Sequence, residues 1–205
     1  MRVYPERRDY TEVRLHGLPL VVTSHRGSSA FNLSPFQGEE SPLEPVIEFT
    51  YDQEKLTPYS YAVYLDEEEV QVDFGLSHQS AAYQLAFEKD DPVQLLLNSK
   101  RGVMKWDGEA ISGYQLIEND TRVYLYLLPE SAPEEVVSLD ERTPGDAIMT
   151  EGRNACLVLK YPRGTSTLQV KYGISFIDEA QARANMEREV LGKTVDELQT
   201  AARII

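Results

Sequence analysis

The sequence predicts a mainly β protein, in which a large antiparallel β-sandwich is followed by a helical linker at the C-terminus. Roughly ten β-rich segments recur at about the 8–12-residue spacing that is typical of sandwiches and barrels. No helical pattern separates them, which disfavours a parallel α/β sheet. From residue 178 onward the apolar residues follow a helical period. We therefore predict a β-sandwich domain at residues 1–176 and a helical linker at residues 177–205.

The predicted strands follow one another with short turns between them. Residues 70–74 alternate between apolar and polar, and the acidic residues 66–69 before them predict the solvated turn of a hairpin. Residues 93–97 are mostly apolar, which predicts a strand buried on both faces. Residues 100–102 and the pair Asp107-Gly108 predict turns. The remaining predicted strands are residues 13–23, 46–51, 59–65, 81–87, 111–117, 122–128, 155–160 and 167–176.

The composition excludes several classes of protein. The 205 residues include 34 acidic and 20 basic side chains, and the net charge of −14 argues against a nucleic acid or an anionic membrane as main partner. The single cysteine, Cys156, excludes a disulfide framework and lies in an apolar segment that predicts a buried, unreactive thiol. The three histidines lack metal-ligand spacing, and no window resembles a membrane span or a signal peptide.

Two helices are predicted at the C-terminus, each with a start signal. Asp178 and Gln181 have the spacing of a capping box, and Gly192 is expected to end the first helix. Thr194, followed by Glu197, is expected to cap the second helix. The apolar residues that we expect to dock these helices on another surface are Met186, Val195, Leu198, Ala202 and Ile205.

The apolar stripe of the second helix reaches the last residue without a stop signal. We interpret the chain as the front part of a longer protein, with the stripe docking on the sandwich or on a neighbouring part. The alternative is a terminal helix that packs on its own domain.

The most specific stretch is residues 181–189, which read Gln-Ala-Arg-Ala-Asn-Met-Glu-Arg-Glu after a strand that ends in Ser-Phe. This stretch resembles the end of the N-terminal domain of glycoside hydrolase family 92, where Gln-Ala-x-x-Asn-Leu-x-x-Glu follows the last strand. Met186 replaces the usual leucine, which conserves volume. Residues 31–38, 58–66, 111–113 and 123–126 are similar to further family segments in the same order.

The resemblance implies a supersandwich-like domain that precedes a linker and a large (α/α)₆ barrel. Family members are bacterial, mostly exported, calcium-dependent exo-acting α-mannosidases, and an α-1,2-mannosidase is expected here. The barrel carries the catalytic acid, the base and most calcium ligands, so no catalytic, cofactor-binding or metal-binding residue is expected in this chain. Calcium is implied for the full-length protein, and mannosides and the barrel are the implied partners. Hydrolysis would proceed with inversion, by an acid and a base far enough apart to admit water.

The family's opening glycine-rich stretch is not recognisable, and neither is its loop with a sugar-contacting aromatic residue. Residues 23–30 stand in place of that loop, and His25 and Arg26 within them are our candidates for the edge of the sugar cleft. One alternative is a free-standing carbohydrate-binding module, with a tyrosine or Trp106 as a stacking platform. Another is an interaction domain that uses the acidic, proline-containing segment 129–135.

Overall fold

The structure is a computed structural model, and it describes residues 14–22, 29–40, 42, 44–139 and 148–204. Thirteen strands, two α-helices and a short 3₁₀ helix (Glu118–Asp120) lie in this part of the chain. The strands are β1 (Arg14–His16), β2 (Leu18–Val22), β3 (Ser29–Gln37), β4 (Glu48–Leu56), β5 (Ser60–Leu65), β6 (Val70–Leu76), β7 (Ser80–Phe87), β8 (Val93–Trp106), β9 (Ile111–Leu116), β10 (Arg122–Pro129), β11 (Glu135–Ser138), β12 (Ile148–Tyr161) and β13 (Thr167–Ser175). The α-helices are α1 (Glu179–Glu189) and α2 (Val195–Arg203).

The strands form one nearly closed antiparallel sheet. Its main path runs β1-β4-β5-β6-β7-β13-β10-β9-β8-β12-β11. The 14-residue strand β8 pairs with β3 through its first half and with β9 through its second half. Because β8 changes partner midway, β2 and β3 branch away from the main path. The predicted antiparallel β architecture followed by C-terminal helices is confirmed.

The branch formed by β2 and β3 lies against the inner side of β7 and β13. The hydroxyl of Tyr83 donates to the carbonyl of Pro19 at 3.0 Å, and that of Tyr172 donates to the carbonyl of Leu20 at 2.7 Å. Both tyrosines belong to the main hydrophobic core, and burial raises the pKa of each phenol. These neutral phenols join the two layers, because each fills the core with its ring and satisfies a buried carbonyl with its hydroxyl.

The prediction of a turn at residues 100–102 is wrong, because β8 continues through them. Gly102 pairs with Gly152 of β12 on one side and with Gln115 of β9 on the other. Backbone hydrogen bonds on both sides therefore outweigh the local turn preference of Lys-Arg-Gly. The prediction for residues 93–97 is confirmed: Leu95 and Leu97 lie in the main core, while Leu96 packs in a smaller cluster with Cys156 on the opposite face.

The acidic turn between β5 and β6 is a hairpin turn as predicted, but it is not solvated throughout. Glu68 is 8% exposed, and its carboxylate accepts a hydrogen bond from the backbone N–H of Gln37 at 2.8 Å. Burial raises the pKa of Glu68, although the Gln37 N–H and the charge of Lys89 oppose this shift. The expectation of a fully solvated tip is therefore wrong at Glu68, since the end of β3 covers it.

The predicted helix starts are confirmed in part. Thr194 and Glu197 form a reciprocal capping box at the start of α2. Asp178 caps α1 by accepting from the Gln181 N–H at 2.7 Å, but the Gln181 side chain donates to Asn185 instead of closing the box. Neither described helix is long and apolar enough to cross a membrane.

Candidate functional site

The two C-terminal helices pack on the outer face of the sheet, and we call this contact the docking interface. Helix α1 contacts mainly β10 and β13, and α2 contacts mainly β6. The junction is a hydrophobic cluster that is separate from the main core, so the sheet has apolar packing on both faces here. Its buried members are Ala82, Ala110, Tyr126, Ala182, Met186, Val190, Val195 and Leu198.

Two strand glycines allow the helices to approach the sheet closely. A Cβ atom at Gly173 of β13 would lie 2.3 Å from the carbonyl oxygen of Ala182 and 2.7 Å from the backbone nitrogen of Met186. A Cβ atom at Gly75 of β6 would lie 2.8 Å from the carbonyl oxygen of Val195. Helix backbone therefore occupies the space that a side chain would need, and only glycine fits at these two positions without a shift.

Polar side chains of α1 complete the docking interface. The amide of Asn185, which is fully buried, donates to the carbonyl of Ile174 at 2.9 Å and accepts from the Gln181 side chain at 2.8 Å. Glu189 accepts from the backbone N–H of Gln79 at 2.8 Å. Burial raises the pKa of Glu189, but hydrogen bonds from that N–H and from Arg188 outweigh it and hold the pKa below its usual value.

The polar residues of the 181–189 stretch thus have structural contacts. Asn185 and Glu189 join α1 to strand ends, and Gln181 holds the Asn185 side chain from within the helix. The stretch that carries the family resemblance therefore holds α1 on the sheet. Sequence reasoning identified the stretch but not the reason for it, because its partners, the Ile174 carbonyl and the Gln79 N–H, are brought to α1 only by the folded sheet.

The residues predicted to dock the helices have different positions. Met186, Val195 and Leu198 are at most 2% exposed and pack in the docking interface. Ala202 is half-buried, and Ile205 lies outside the described residues. Gly75 and Gly173 were not predicted as docking residues. A glycine within an otherwise regular strand is the signal that would have indicated them.

His25 and Arg26, the predicted cleft-edge residues, lie outside the described residues. The first described residues after them, at the start of β3, are held by Gln115 of β9. The Gln115 side chain accepts from the Phe31 N–H at 2.9 Å and donates to the Ser29 carbonyl at 3.1 Å. Phe31 is buried and has a φ of 56°, a left-handed conformation that is costly for a bulky residue. Packing and the buried amide therefore hold a strained backbone at this point.

A concave site of about 390 Å³ lies beside α1, and we call it the hairpin pocket. It opens between the β8–β9 hairpin, the end of β10, β13 and the residues that follow α1. The side chains that define its chemistry are Trp106, Glu109, Leu128, Glu130, Lys171 and Leu191. Lys171 and Trp106 are each 8% exposed, whereas Leu191 is 51% exposed. Both apolar and charged groups therefore border the pocket.

The other residues that the sequence singled out are Trp106, Cys156 and segment 129–135. Trp106 leaves too little of its ring exposed for the broad stacking platform that the carbohydrate-module hypothesis requires. Cys156 is fully buried, as predicted. Segment 129–135 leads from the end of β10 into β11, and most of its residues are exposed. Within the described ranges, no group of three or more histidine, cysteine, aspartate or glutamate residues is placed to hold a metal ion.

Comparison with known proteins identifies the family. The sequence profile of the Glycosyl hydrolase family 92 N-terminal domain matches residues 6–175. No curated protein sequence matches the chain. Several solved structures share its fold, and all of those described below are longer than this chain.

The inverting mannosidase BT2199 of family GH92, from Bacteroides thetaiotaomicron VPI-5482, is 20% identical with a TM-score of 0.78, and the match covers 95% of this chain and 28% of that one. The GH92 alpha-mannosidase BT3965 from Bacteroides thetaiotaomicron is 19% identical with a TM-score of 0.82, and the match covers 98% of this chain and 32% of that one. The GH92 family glycosyl hydrolase ccman5 is 14% identical with a TM-score of 0.77, and the match covers 96% of this chain and 30% of that one.

The chain therefore spans only about a third of the length of these solved proteins. The structural likeness shows a shared fold, and the profile match extends over most of the sequence. On that evidence, the chain belongs to the family of glycosyl hydrolase family 92 N-terminal domains.

Proposed function

We propose that this chain is the N-terminal domain of an α-1,2-mannosidase, in which it supports a following catalytic barrel and shapes the sugar cleft without catalysing the reaction alone. The observation that carries the proposal is the family match over residues 6–175. Two solved proteins named as GH92 mannosidases contain this fold, and the part that matches this chain is 28–32% of their length. One of them, BT3965, was solved in complex with mannoimidazole.

The chemistry of the buried acids supports a non-catalytic role. An inverting glycosidase needs two carboxyl groups about 6.5–9.5 Å apart, one as acid and one as base, on opposite sides of the scissile bond. Glu68 and Glu189 are the buried carboxylates within the described residues, and each accepts a hydrogen bond from a backbone N–H. Each carboxylate is thus occupied by a contact to a distant chain segment rather than by a role as acid or base.

The docking interface supports the proposed mechanical role of residues 177–205. A linker held to the sheet by apolar contacts and by Asn185 and Glu189 would give a following domain a firm attachment. The proposed linker thus sets the orientation of the barrel relative to the sandwich. A flexible connection would lose more entropy on ordering a cleft between the two domains.

We propose His25 and Arg26 for the edge of the cleft because they lie where the family's loop with a sugar-contacting aromatic residue is not recognisable. Gln115 anchors Ser29 and Phe31, which follow these residues in the chain. In the longer enzyme, we expect His25→Ala and Arg26→Ala to raise KM for mannobiose with a smaller effect on kcat. The described residues do not fit a calcium site, so we assign no step to calcium in this chain.

Hydrolysis of α-1,2-mannobiose tests the proposal. We expect the purified 205-residue chain to release no mannose, with or without added calcium, and a polypeptide extended through the downstream reading frame to release it with inversion. Mannose release by the 205-residue chain would contradict the proposal if a point substitution in the chain abolished it. The DNA immediately downstream of the Ile205 codon provides a second test, since the proposal requires a continued open reading frame.

A further inference from the structure

The hairpin pocket has the size and the construction of a small-molecule site. Its volume of about 390 Å³ lies within the roughly 300–1,000 Å³ that is usual for ligand pockets. Its walls come from the β8–β9 hairpin, the end of β10, β13 and the segment after α1. The segment after α1 contributes Leu191, so one wall of the pocket comes from the docked helices.

Lys171 supplies a sheltered hydrogen-bond donor to the pocket. The residue is 8% exposed, and its Nζ atom lies 4.0 Å from the Oε1 atom of Glu130. That separation allows charge attraction but is longer than a hydrogen bond. A sheltered ammonium is stabilised by oxygen partners, because its removal from water is costly. An oxygen atom of a ligand that lies about 2.8 Å from the Nζ atom on the pocket side would accept from Lys171.

Glu130 and Glu109 supply acceptors at the same pocket. Two carboxylates against one ammonium in the lining of the pocket repel a phosphate or a ligand with several carboxylates. A neutral ligand that carries hydroxyl groups has the matching chemistry, because each hydroxyl can donate to a carboxylate and accept from an ammonium. The charges therefore favour a neutral, polyhydroxylated ligand.

The apolar part of the pocket restricts the ligand further. Trp106, Leu128 and Leu191 border the cavity, and Leu191 is 51% exposed. A pyranose ring has one face of C–H groups and a rim of hydroxyls, so it can cover these side chains while its hydroxyls contact the charged groups. A linear polyol lacks such a face.

We propose that the hairpin pocket binds the ring of a neutral monosaccharide unit. Lys171 and Glu130 bind its hydroxyls, and Leu191 packs against its apolar face. This inference goes beyond the proposed function, since it requires neither a following barrel nor hydrolytic activity.

Tryptophan fluorescence of the 205-residue chain tests the proposal directly, because Trp106 is the only tryptophan in the sequence. The probes are the methyl α-pyranosides of mannose, glucose and galactose, with glucuronate as an anionic probe and sorbitol as a linear polyol. Lys171→Met removes the ammonium and keeps the chain length, and Glu130→Gln removes one carboxylate. Lys55→Met, on the exposed surface of β4, is the matched control.

We expect a saturable change with at least one methyl pyranoside at millimolar concentrations, which Lys171→Met weakens by about tenfold or more. Glu130→Gln should weaken binding several-fold, and Lys55→Met should leave it unchanged. The absence of a saturable change up to about 100 mM would overturn the proposal. Stronger binding of glucuronate or sorbitol than of every pyranoside would also overturn it. Equal binding of the pyranosides by the wild type and by both folded pocket variants would do the same.

Discussion

Glu189, the last residue of α1, accepts a hydrogen bond at 2.8 Å from the backbone N–H of Gln79, which lies 110 residues earlier between β6 and β7. The carboxylate is 7% exposed and also binds the guanidinium of Arg188 at 2.8 Å. Since the donor is a main-chain group, this contact joins the end of α1 to the β6–β7 connection without depending on the side chain of residue 79.

The Glu189 contact predicts an acid-sensitive docking interface. Because its pKa in the folded protein is lowered, Glu189 stabilises the fold fully above the ordinary carboxyl pKa of about 4.3. That contribution is lost as the pH falls through the lowered folded-state pKa. We expect Glu189→Gln to reduce the free energy of unfolding by about 1–3 kcal/mol at pH 7. The difference from wild type should shrink in urea unfolding at acidic pH.

The exposed Glu187, two residues before the end of α1, provides the control for that measurement. Glu187→Gln removes the same charge type from an i,i+4 pair with Arg183 and should cost about 0.5 kcal/mol or less. An equal pH dependence in the Glu189→Gln and wild-type proteins would show that the buried carboxylate does not control docking.

Gly173 should not tolerate a side chain. Gly173→Ala places a Cβ atom 2.3 Å from the Ala182 carbonyl oxygen, so α1 must shift away from β13. We expect a loss of about 1–3 kcal/mol in thermal or urea unfolding, the usual cost of overpacking. Thr167→Ala, at the exposed start of the same strand, should change stability by less than about 0.5 kcal/mol. Equal effects of the two substitutions would mean that α1 does not pack closely on Gly173.

Removal of the charge of Glu68 should stabilise the protein at neutral pH. Burial raises the folded-state pKa of Glu68, so the free energy of unfolding falls as the pH rises from the ordinary carboxyl pKa through this raised value. Glu68→Gln keeps an acceptor for the Gln37 N–H and should raise Tm at pH 7 by about 2–4 °C. The gain should vanish below about pH 4. Glu69→Gln, at the exposed neighbour, should have little effect, and a lower Tm for Glu68→Gln would refute this account.

Truncation tests whether the sandwich is stable without its helices. A chain of residues 1–176 would expose Ala82, Ala110 and Tyr126 on the outer face of the sheet. We expect a stability loss larger than the roughly 2–5 kcal/mol that removal of the Met186 side chain alone should cost. Differential scanning calorimetry of the short and full chains provides the measurement. Identical transitions would show that residues 177–205 form a separate unit.

Much of the fold was predictable because strand and helix periods are local properties of a sequence. The hairpin of β5 and β6, the doubly buried start of β8 and the caps at Asp178 and Thr194 follow from neighbouring residues. The failures have a common cause. Residues 100–102 form a strand because β12, which is distant in sequence, pairs with them. Glu68 is buried because the end of β3 covers it. Neither contact can be read from the neighbouring residues.

The residue order therefore defines the strand and helix segments, the helix caps, the acidic charge and the 181–189 stretch that indicates the family. The contacts of that stretch depend on the folded sheet, because Ile174, Gln79 and the two strand glycines reach α1 and α2 only after the strands have paired. The hairpin pocket likewise exists because Lys171, Glu130 and Leu191 converge in space while their separation along the chain is large. Side-chain periodicity is a short-range property, whereas a binding surface requires groups from several elements, and the folded chain alone brings them together.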